Sequence, residues 1–337
     1  MTRLYVIRHA EAEGNIYRRL HGQYNSRITA NGERQVEALR ERFLDVPIDA
    51  VYASDLFRTR QTARAVTVPK GLELRPEPRL REVHTGCWEN QTFGWLEQTE
   101  PEKLRQFLKD PEQWCVEGSE RYEDYSRRFV EALEDIARAN EGGTVAVFTH
   151  GCVSSGGFHR LLGLPHNAEL CDNTGVSLLR WENGVFTPEF LYDNSHLTEA
   201  ISTRARQRWW RQGGGRFNLW FRDPAAGDAG LFAEGFEPPA GHRVRIAMLG
   251  QEPVGYLCHD GRTVSVLWLR PEYRHRRMGD QLLGEAVMTL RAGGVKDLSV
   301  GIPTVNVEAL AFFARHGAGI AQMDDVYTVY TMDLRVE

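Results

Sequence analysis

An α/β fold with a mostly parallel sheet is predicted for roughly the first two hundred of the 337 residues, and three observations predict it. Leu4-Tyr5-Val6-Ile7 is an apolar run without polar alternation, the pattern of a short strand covered on both faces. Val145-Ala146-Val147-Phe148 repeats that pattern far along the chain. Between and after them, strand-like and helix-like stretches alternate. Each of the two runs leads into a histidine, through Arg8-His9 and through Thr149-His150-Gly151. A parallel sheet collects its chemistry just beyond the carboxyl ends of its strands. Arg8, His9 and His150 are therefore expected on one edge of one sheet, as the core of an active site.

The elements follow in order. Ala30-Asn31-Gly32 reads as a turn, and Glu33 to Phe43 as an amphipathic helix with Val36, Leu39 and Phe43 on one face. Val51 to Ser54 is a short strand, and Asp55 to Ala63 is helical. Leu80 to Glu89 is a loop carrying Glu82, Gly86 and Trp88. Glu102 to Leu108 and Tyr122 to Ala139 are helical, separated by the turn-rich Val116-Glu117-Gly118-Ser119. After the His150 strand come a helix near Cys152 to Leu161 and strands at Ser177 to Trp181 and Phe186 to Tyr192.

Composition changes at Arg204 to Phe217, where Arg204, Arg206, Arg208 and Arg211 interleave with Trp209-Trp210 before Gly213-Gly214-Gly215. A basic, aromatic stretch can grip single-stranded nucleic acid. With a formal net charge of -5 for the whole chain, a helix that snorkels its arginines and runs into a flexible linker is the better account. The expected organisation is a first domain over 1–203, a basic, Gly-rich linker over 204–216 and a second domain over 217–337. In the second domain, Arg243 to Leu249 with Val254 to Cys258 forms a hairpin-like pair. A strand at Thr263 to Leu269, a helix at Gly279 to Arg291, a strand at Asp297 to Gly301, a helix at Val305 to His316 and a strand at Val326 to Leu334 complete it.

Several function classes are excluded at this level. The charge balance gives no global attraction to nucleic acid or anionic membrane, and no apolar run is long enough to span a bilayer. The five cysteines are scattered, without a CxxC pair, and no HExxH occurs. The expectation is a cytoplasmic protein with reduced thiols and no metal.

Arg8, His9, Arg58, Glu82 and His150 make one chemical unit if they meet. Arginines are fork-shaped donors suited to phosphate oxygens. A histidine among fixed cations is held neutral, and neutral imidazole is a nucleophile. A carboxyl group beside a dianionic substrate can protonate the leaving oxygen. A second histidine supplies a further donor to the transferring group.

The stretch Val6-Ile7-Arg8-His9-Ala10-Glu11-Ala12-Glu13-Gly14-Asn15 resembles the signature of the histidine phosphatase superfamily, which includes the cofactor-dependent phosphoglycerate mutases. Supporting matches follow in order: Ile28-Thr29 with Gly32 and Gln35, Ser54 to Thr59 with Thr62, Leu80-Arg81-Glu82 with Gly86-Cys87-Trp88-Glu89, Glu117-Gly118-Ser119, and Thr149-His150-Gly151. The resemblance implies a three-layer α/β/α, phosphoglycerate mutase-like domain over roughly residues 1 to 200. It implies a phosphomonoesterase of the histidine acid phosphatase type, in which His9 is phosphorylated, Arg8, Arg58 and His150 bind the phosphoryl group and Glu82 is the proton donor. Substrate contacts from Asn15 and Gln23 go with it, and the substrate is a small phosphorylated metabolite. Ala10, Ala12 and Asn90 depart from the usual glycine, threonine and glycine. Glu11 is expected to be structural. The short segment from Trp88 to Ser119 is more like the phosphatases than the mutases, so hydrolysis is expected, with phosphoglycerate mutase-type transfer as the alternative.

In the second domain, Leu267 to Leu283 reads as a strand, a basic turn and a helix, and free N–H groups at a helix start suit an anion. Arg274-His275-Arg276-Arg277-Met278-Gly279 resembles the pyrophosphate cradle of the GNAT acetyltransferase superfamily. Val254 to Leu257, Asn306-Val307-Glu308-Ala309, Phe312-Phe313 and Gly317 extend the likeness over roughly residues 217 to 337. It implies an α+β domain with a mixed, mostly antiparallel sheet that binds acetyl-CoA through Leu269, Arg274, Arg276, Arg277, Met278, Gly279, Asp280 and Asn306, and N-acetylates a small amine. The alternative is a non-catalytic acetyl-CoA sensor or partner-binding module. Arg277 stands at the cradle's middle glycine, Phe313 where many members have a tyrosine that protonates the thiolate, and Ala318 where phenylalanine is common.

Overall fold

The computed structural model describes residues 1–165, 171–208, 216–232 and 236–337. His166, Trp209, Trp210, Arg211 and the Gly213–Gly215 run of the expected linker lie outside the described residues. The chain divides into two compact units. One comprises Met1–Ala12, Leu20–Asn90 and Pro101–Gly213, the other Glu13–Arg19, Gln91–Glu100 and Gly214–Glu337.

The first unit is built on six strands: β1 (Thr2–Arg8), β2 (Ala50–Ala53), β3 (Leu74–Pro76), β4 (Thr144–Thr149), β5 (Val176–Glu182) and β6 (Val185–Asp193), in the spatial order β3-β2-β4-β1-β5-β6. β1 and β4 are parallel with Leu4 opposite Val145 and Arg8 opposite Thr149, and β2 and β3 continue the parallel run. β5 and β6 are antiparallel, an edge hairpin of the kind often added to α/β sheets. The helices are α1 (Ala30–Phe43), α2 (Phe57–Lys70), α3 (Pro101–Lys109), α4 (Tyr122–Ala139) and α5 (Gly151–Leu162).

Alternation along β1 assigns its faces. Tyr5 and Ile7 point to the side where Val36, Leu39 and Phe43 of α1 and Ala63 and Val66 of α2 form one apolar cluster with Val51 and Phe148. Tyr5 meets Phe43 edge-on at 5.2 Å. The opposite face is covered by α4, packed on β1 and on α5, where Phe129 and Phe158 stand edge to face. Helices on both faces of the sheet make three layers. The sequence elements recur with shifted ends, the helix expected over 55–63 running instead from Phe57 to Lys70 while Tyr122–Ala139 is unchanged, because helix ends depend on caps that periodicity does not register. Ala30-Asn31-Gly32 is the first turn of α1, not a turn before it: the Thr29 hydroxyl accepts from the Gly32 amide at 3.0 Å and starts the helix there. Gly32 is required by space, since a Cβ would lie 2.3 Å from the Glu11 carbonyl oxygen. β3 was not legible, being a three-residue edge strand with Pro76 at its end.

The second unit has two antiparallel sheets. β7 (Leu219–Arg222), β8 (Arg243–Leu249), β9 (Glu252–His259) and β10 (Val264–Leu269) form one in the order β10-β9-β8-β7. β11 (Asp297–Pro303), β12 (Gly319–Met323) and β13 (Tyr327–Asp333) form the other, with β13 central. Between the sheets in sequence runs α6 (Met278–Ala292), and α7 (Val307–Arg315) follows β11. Met278 and Leu282 of α6 join Leu219, Phe221, Val254, Leu257 and Leu269 in one core, while Tyr256 meets Phe232, Phe236 and Trp268 in another cluster.

Residues 1–203 do not map onto one unit. The helix Glu13–Tyr17 is built into the second unit: Glu13 forms a two-pronged ion pair with Arg291 at 2.9 and 3.0 Å, Arg19 pairs with Glu285, and Tyr17 fills the space above Gly284. The helix Phe93–Thr99 belongs there too, with Gly94 against the Leu219 carbonyl and Glu97 bonded to Asn218. These short segments gave no sequence signal for this, because the partners of Glu97 and Glu13 lie 121 and 278 residues away.

Candidate active site

The parallel register of β1 and β4 places His9 and His150 one residue past adjacent strand ends, with ring centroids 5.2 Å apart. Both are buried. The backbone around His9 is held on all sides. Its amide donates to the Thr149 carbonyl, its carbonyl accepts from the Asn173 side chain at 3.0 Å, and the next amide, of Ala10, donates to the Thr62 hydroxyl at 2.9 Å. The His9 Nδ1 lies 2.7 Å from the Ala10 carbonyl, which can only accept, so the proton of the neutral ring is on Nδ1 and the lone pair on Nε2.

His150 has the opposite assignment. Arg58 Nε donates to its Nδ1 at 3.2 Å, which leaves the ring proton on Nε2, 2.9 Å from the Ser54 hydroxyl. Arg58 enters from the first turn of α2 and is itself buried. Its two terminal nitrogens donate to the Gly22 and Tyr24 carbonyls at 2.7 and 3.0 Å. Burial lowers the Arg58 pKa to about 10 against the pull of Glu82 and Glu89, which leaves it charged at neutral pH. Arg8 donates to the Cys171 carbonyl at 2.5 Å, and its buried Nε has no hydrogen-bond partner among the described residues. Gly151 makes room for that guanidinium, since a Cβ there would lie 3.2 Å from it.

Burial first, then the fields of Arg58 and Arg8, holds the His9 pKa well below the ordinary histidine value. Burial and Arg58 do the same for His150, so both rings are neutral at pH 7. In the unfolded chain both titrate near 6.5, so on acidification the unfolded state takes up protons first. Stability is therefore expected to fall as pH drops below about 6.5, by about 1.4 kcal/mol per pH unit for each histidine until the folded ring also protonates. Urea unfolding at pH 7.5 and pH 5 checks this; equal stability at the two values counts against neutral, buried rings.

Glu82 sits on the loop that follows β3. Its carboxylate accepts from the amides of Cys152 and Val153 at 3.1 and 2.7 Å, at the start of the helix that His150 precedes, and from Val83 at 3.0 Å. Arg128 holds this loop by donating to the carbonyls of Arg79, Arg81 and Glu82. Gln23 donates its side-chain amide to the Glu82 carbonyl at 3.1 Å, so it binds the loop. Asn15 lies on the Glu13–Tyr17 helix of the second unit. Glu11 is structural, as expected: buried, it accepts from Thr29, Asn31 and Thr203. Sequence reasoning gave no role to Ser54, Arg128 or Asn173. Ser54 lay inside a quoted motif, whereas an arginine in an amphipathic helix reads as solvent-facing.

In the second unit, Leu269 ends β10 and is buried, and Arg274 donates back to its carbonyl at 3.1 Å. Arg276 reaches over the Tyr273 ring, and Arg277 takes a left-handed backbone (φ 60°) at the head of α6. Met278 is buried, and Gly279 faces Phe312, 3.0 Å from where a Cβ would be. Asp280 is turned inward and bonded to His316 at 3.0 Å, with Arg315 and Arg277 beside it. The Asn306 side chain caps α7 by accepting from Ala309 at 3.1 Å. Asp280 is thus engaged within the fold, whereas Asn306 is exposed and uses only its Oδ1 for the cap. No cluster of three or more metal-ligating side chains occurs among the described residues. No helix among them is long and apolar enough to cross a membrane.

Residues 4–194 match the family model of the histidine phosphatase superfamily (branch 1). A relative from Serratia proteamaculans (strain 568), named "Probable phosphoglycerate mutase GpmB", is 34% identical over 169 residues, covering 50% of this chain and 79% of that protein. Among solved structures, Bacillus stearothermophilus YhfR is similar with a TM-score of 0.56 and 30% identity, over 58% of this chain and 99% of that one. The alpha-ribazole phosphatase from Shigella flexneri is similar with a TM-score of 0.51 and 25% identity, over 57% of this chain and 96% of that one.

Proposed function

The chain belongs to the histidine phosphatase superfamily, and from that premise we propose that it hydrolyses a small phosphomonoester through a phosphohistidine formed on His9. The observation that carries the reading is the His9 ring itself: neutral, its Nδ1 proton fixed on the Ala10 carbonyl and its Nε2 lone pair unengaged by any of the described residues. Nε2 attacks phosphorus while Arg8 and Arg58 take up charge on the phosphoryl oxygens. His150 adds its Nε2 proton as a donor by turning from Ser54. Glu82 gives a proton to the leaving oxygen, then takes one from the water that cleaves the N–P bond, releasing inorganic phosphate and restoring His9. The test is phosphate release from a panel of sugar phosphates, nucleotides, phosphoglycerates and phosphoamino acids. Failure to release phosphate from any of them counts against hydrolysis. Phosphoglycerate mutase-type transfer is the second reading, favoured by the name of the Serratia relative. Isomerisation of a phosphoglycerate without phosphate release would select it.

For the second unit the proposal is a GNAT-like domain that binds acetyl-CoA. It is supported by the β10–turn–α6 segment and by Arg274, Arg276 and Arg277 around its turn. Arg276, Arg277 and the Gly279 amide would hold the pyrophosphate and the Asn306 side-chain NH2 would contact the cofactor, while Asp280 is engaged with His316. Phe313 is buried against Tyr330 and offers no proton to a thiolate. A ligand that binds only the folded state raises its stability by about 2.7 kcal/mol at a hundred times Kd. Acetyl-CoA is expected to raise the melting temperature, and no shift at millimolar acetyl-CoA would remove the binding proposal. Thiol release on adding small amines would separate an N-acetyltransferase from a sensor or partner-binding module.

A further inference from the structure

Glu89 follows Trp88 on the same loop as Glu82, and the proposed chemistry gives it no part. Its carboxylate nevertheless joins two loops of the site. Oε1 accepts from the Gln23 amide at 3.0 Å and from the amide and hydroxyl of Thr85 at 2.8 and 2.9 Å, while Oε2 accepts from the Tyr24 amide at 2.6 Å. The loop thus gripped, Gly22 to Tyr24, is the one whose carbonyls hold the Arg58 guanidinium. Arg58 in turn fixes the His150 tautomer. On the other side, Thr85 lies three residues after Glu82, and Gln23 reaches the Glu82 carbonyl. Gly22 closes the arrangement: its backbone is left-handed (φ 53°), and a Cβ there would lie 2.1 Å from Glu89 Oε1.

The geometry points to Glu89 as a positioning residue of the phosphoryl-transfer site, fixing Arg58 relative to Glu82 by clamping residues 22–24 to the Glu82 loop. The physical reason is directional. The Gly22 carbonyl and the Gln23 amide belong to one trans peptide and point opposite ways, so the carboxylate that holds the Gln23 amide directs the Gly22 carbonyl onto Arg58. Its hold on the Tyr24 amide fixes the next peptide, after which the Tyr24 carbonyl meets the same guanidinium. A carboxylate accepting several N–H bonds is a charge-assisted clamp that an amide cannot copy, because its NH2 would face donors. Glu89 touches no reacting atom in this scheme and acts only through Arg58 and Glu82.

This inference rests on the phosphatase reading, and the experiment separates the two. Wild type, E89Q and E89D are assayed as full-length chains on a phosphomonoester that the wild type hydrolyses, with inorganic phosphate as a competitive probe. Both variants are expected to raise the phosphate Ki at least tenfold and to raise KM as kcat falls, since a displaced Arg58 binds the phosphoryl group poorly. A role confined to folding would lower kcat with the folded fraction and leave Ki and KM in place. A Ki within twofold of wild type in either folded variant overturns the inference. A wild type that neither turns over phosphomonoesters nor binds phosphate sinks the phosphatase reading instead.

Discussion

His9→Ala loses phosphohydrolase activity by at least about a thousandfold, because a residue that acts as the nucleophile has no substitute in the site. The geometry says why His150 cannot take over. Its Nδ1 accepts from Arg58 and its Nε2 faces Ser54, so the ring presents no unengaged lone pair. His9 alone combines a fixed Nδ1 proton with an Nε2 lone pair beside two arginines. The second measurement is chemical. Wild type quenched during turnover of a 32P-labelled ester carries acid-labile, base-stable label, and His9→Ala carries none. Label on the variant, or activity above a tenth of wild type, would show that another group attacks phosphorus.

The parts of this site that were legible in the sequence are those carried by strand ends. An apolar run ending in Arg8-His9 specifies both a buried strand and the edge where its last residues emerge, and the His150 strand does so independently. Parallel pairing of β1 with β4 then follows from the fold class. What the sequence concealed are contacts whose two ends share no local pattern. Gln23, a substrate contact in the resemblance, also donates its side-chain amide to the Glu82 carbonyl, a bond between loops 59 residues apart. The resemblance places Asn15 in the nucleophile's motif, and its helix folds with the second unit, held there by the Glu13–Arg291 ion pair. In the second unit the basic turn before α6 was visible, whereas the inward turn of Asp280 depends on His316, thirty-six residues later. Charge at a helix start reads the same in sequence whether it meets a ligand or a neighbouring side chain.

Arg58→Lys keeps the charge and is still expected to cost about a hundredfold or more in kcat/KM, together with about 3 kcal/mol of stability. The guanidinium serves three acceptors in three directions: Nε on His150 and the terminal nitrogens on the Gly22 and Tyr24 carbonyls. A single ammonium on a flexible stem cannot reach all three, so at least one buried acceptor is left without a donor, at about 1–3 kcal/mol each. Losing the Nε donor also frees the His150 ring to exchange tautomers, so Nε2, which faces Ser54, no longer carries a fixed proton to turn toward the transferring group. The charge that survives is a point, where the phosphoryl oxygens are best met by a planar fork. For a unit of this size, the stability loss corresponds to a fall in melting temperature of about 6–12 °C. Steady-state kinetics and a melting curve on the same preparation test both halves. Lysine at 58 with kcat/KM within threefold of wild type would mean that charge alone suffices there, and that the fork seen between His150 and the Gly22–Tyr24 loop is scaffolding.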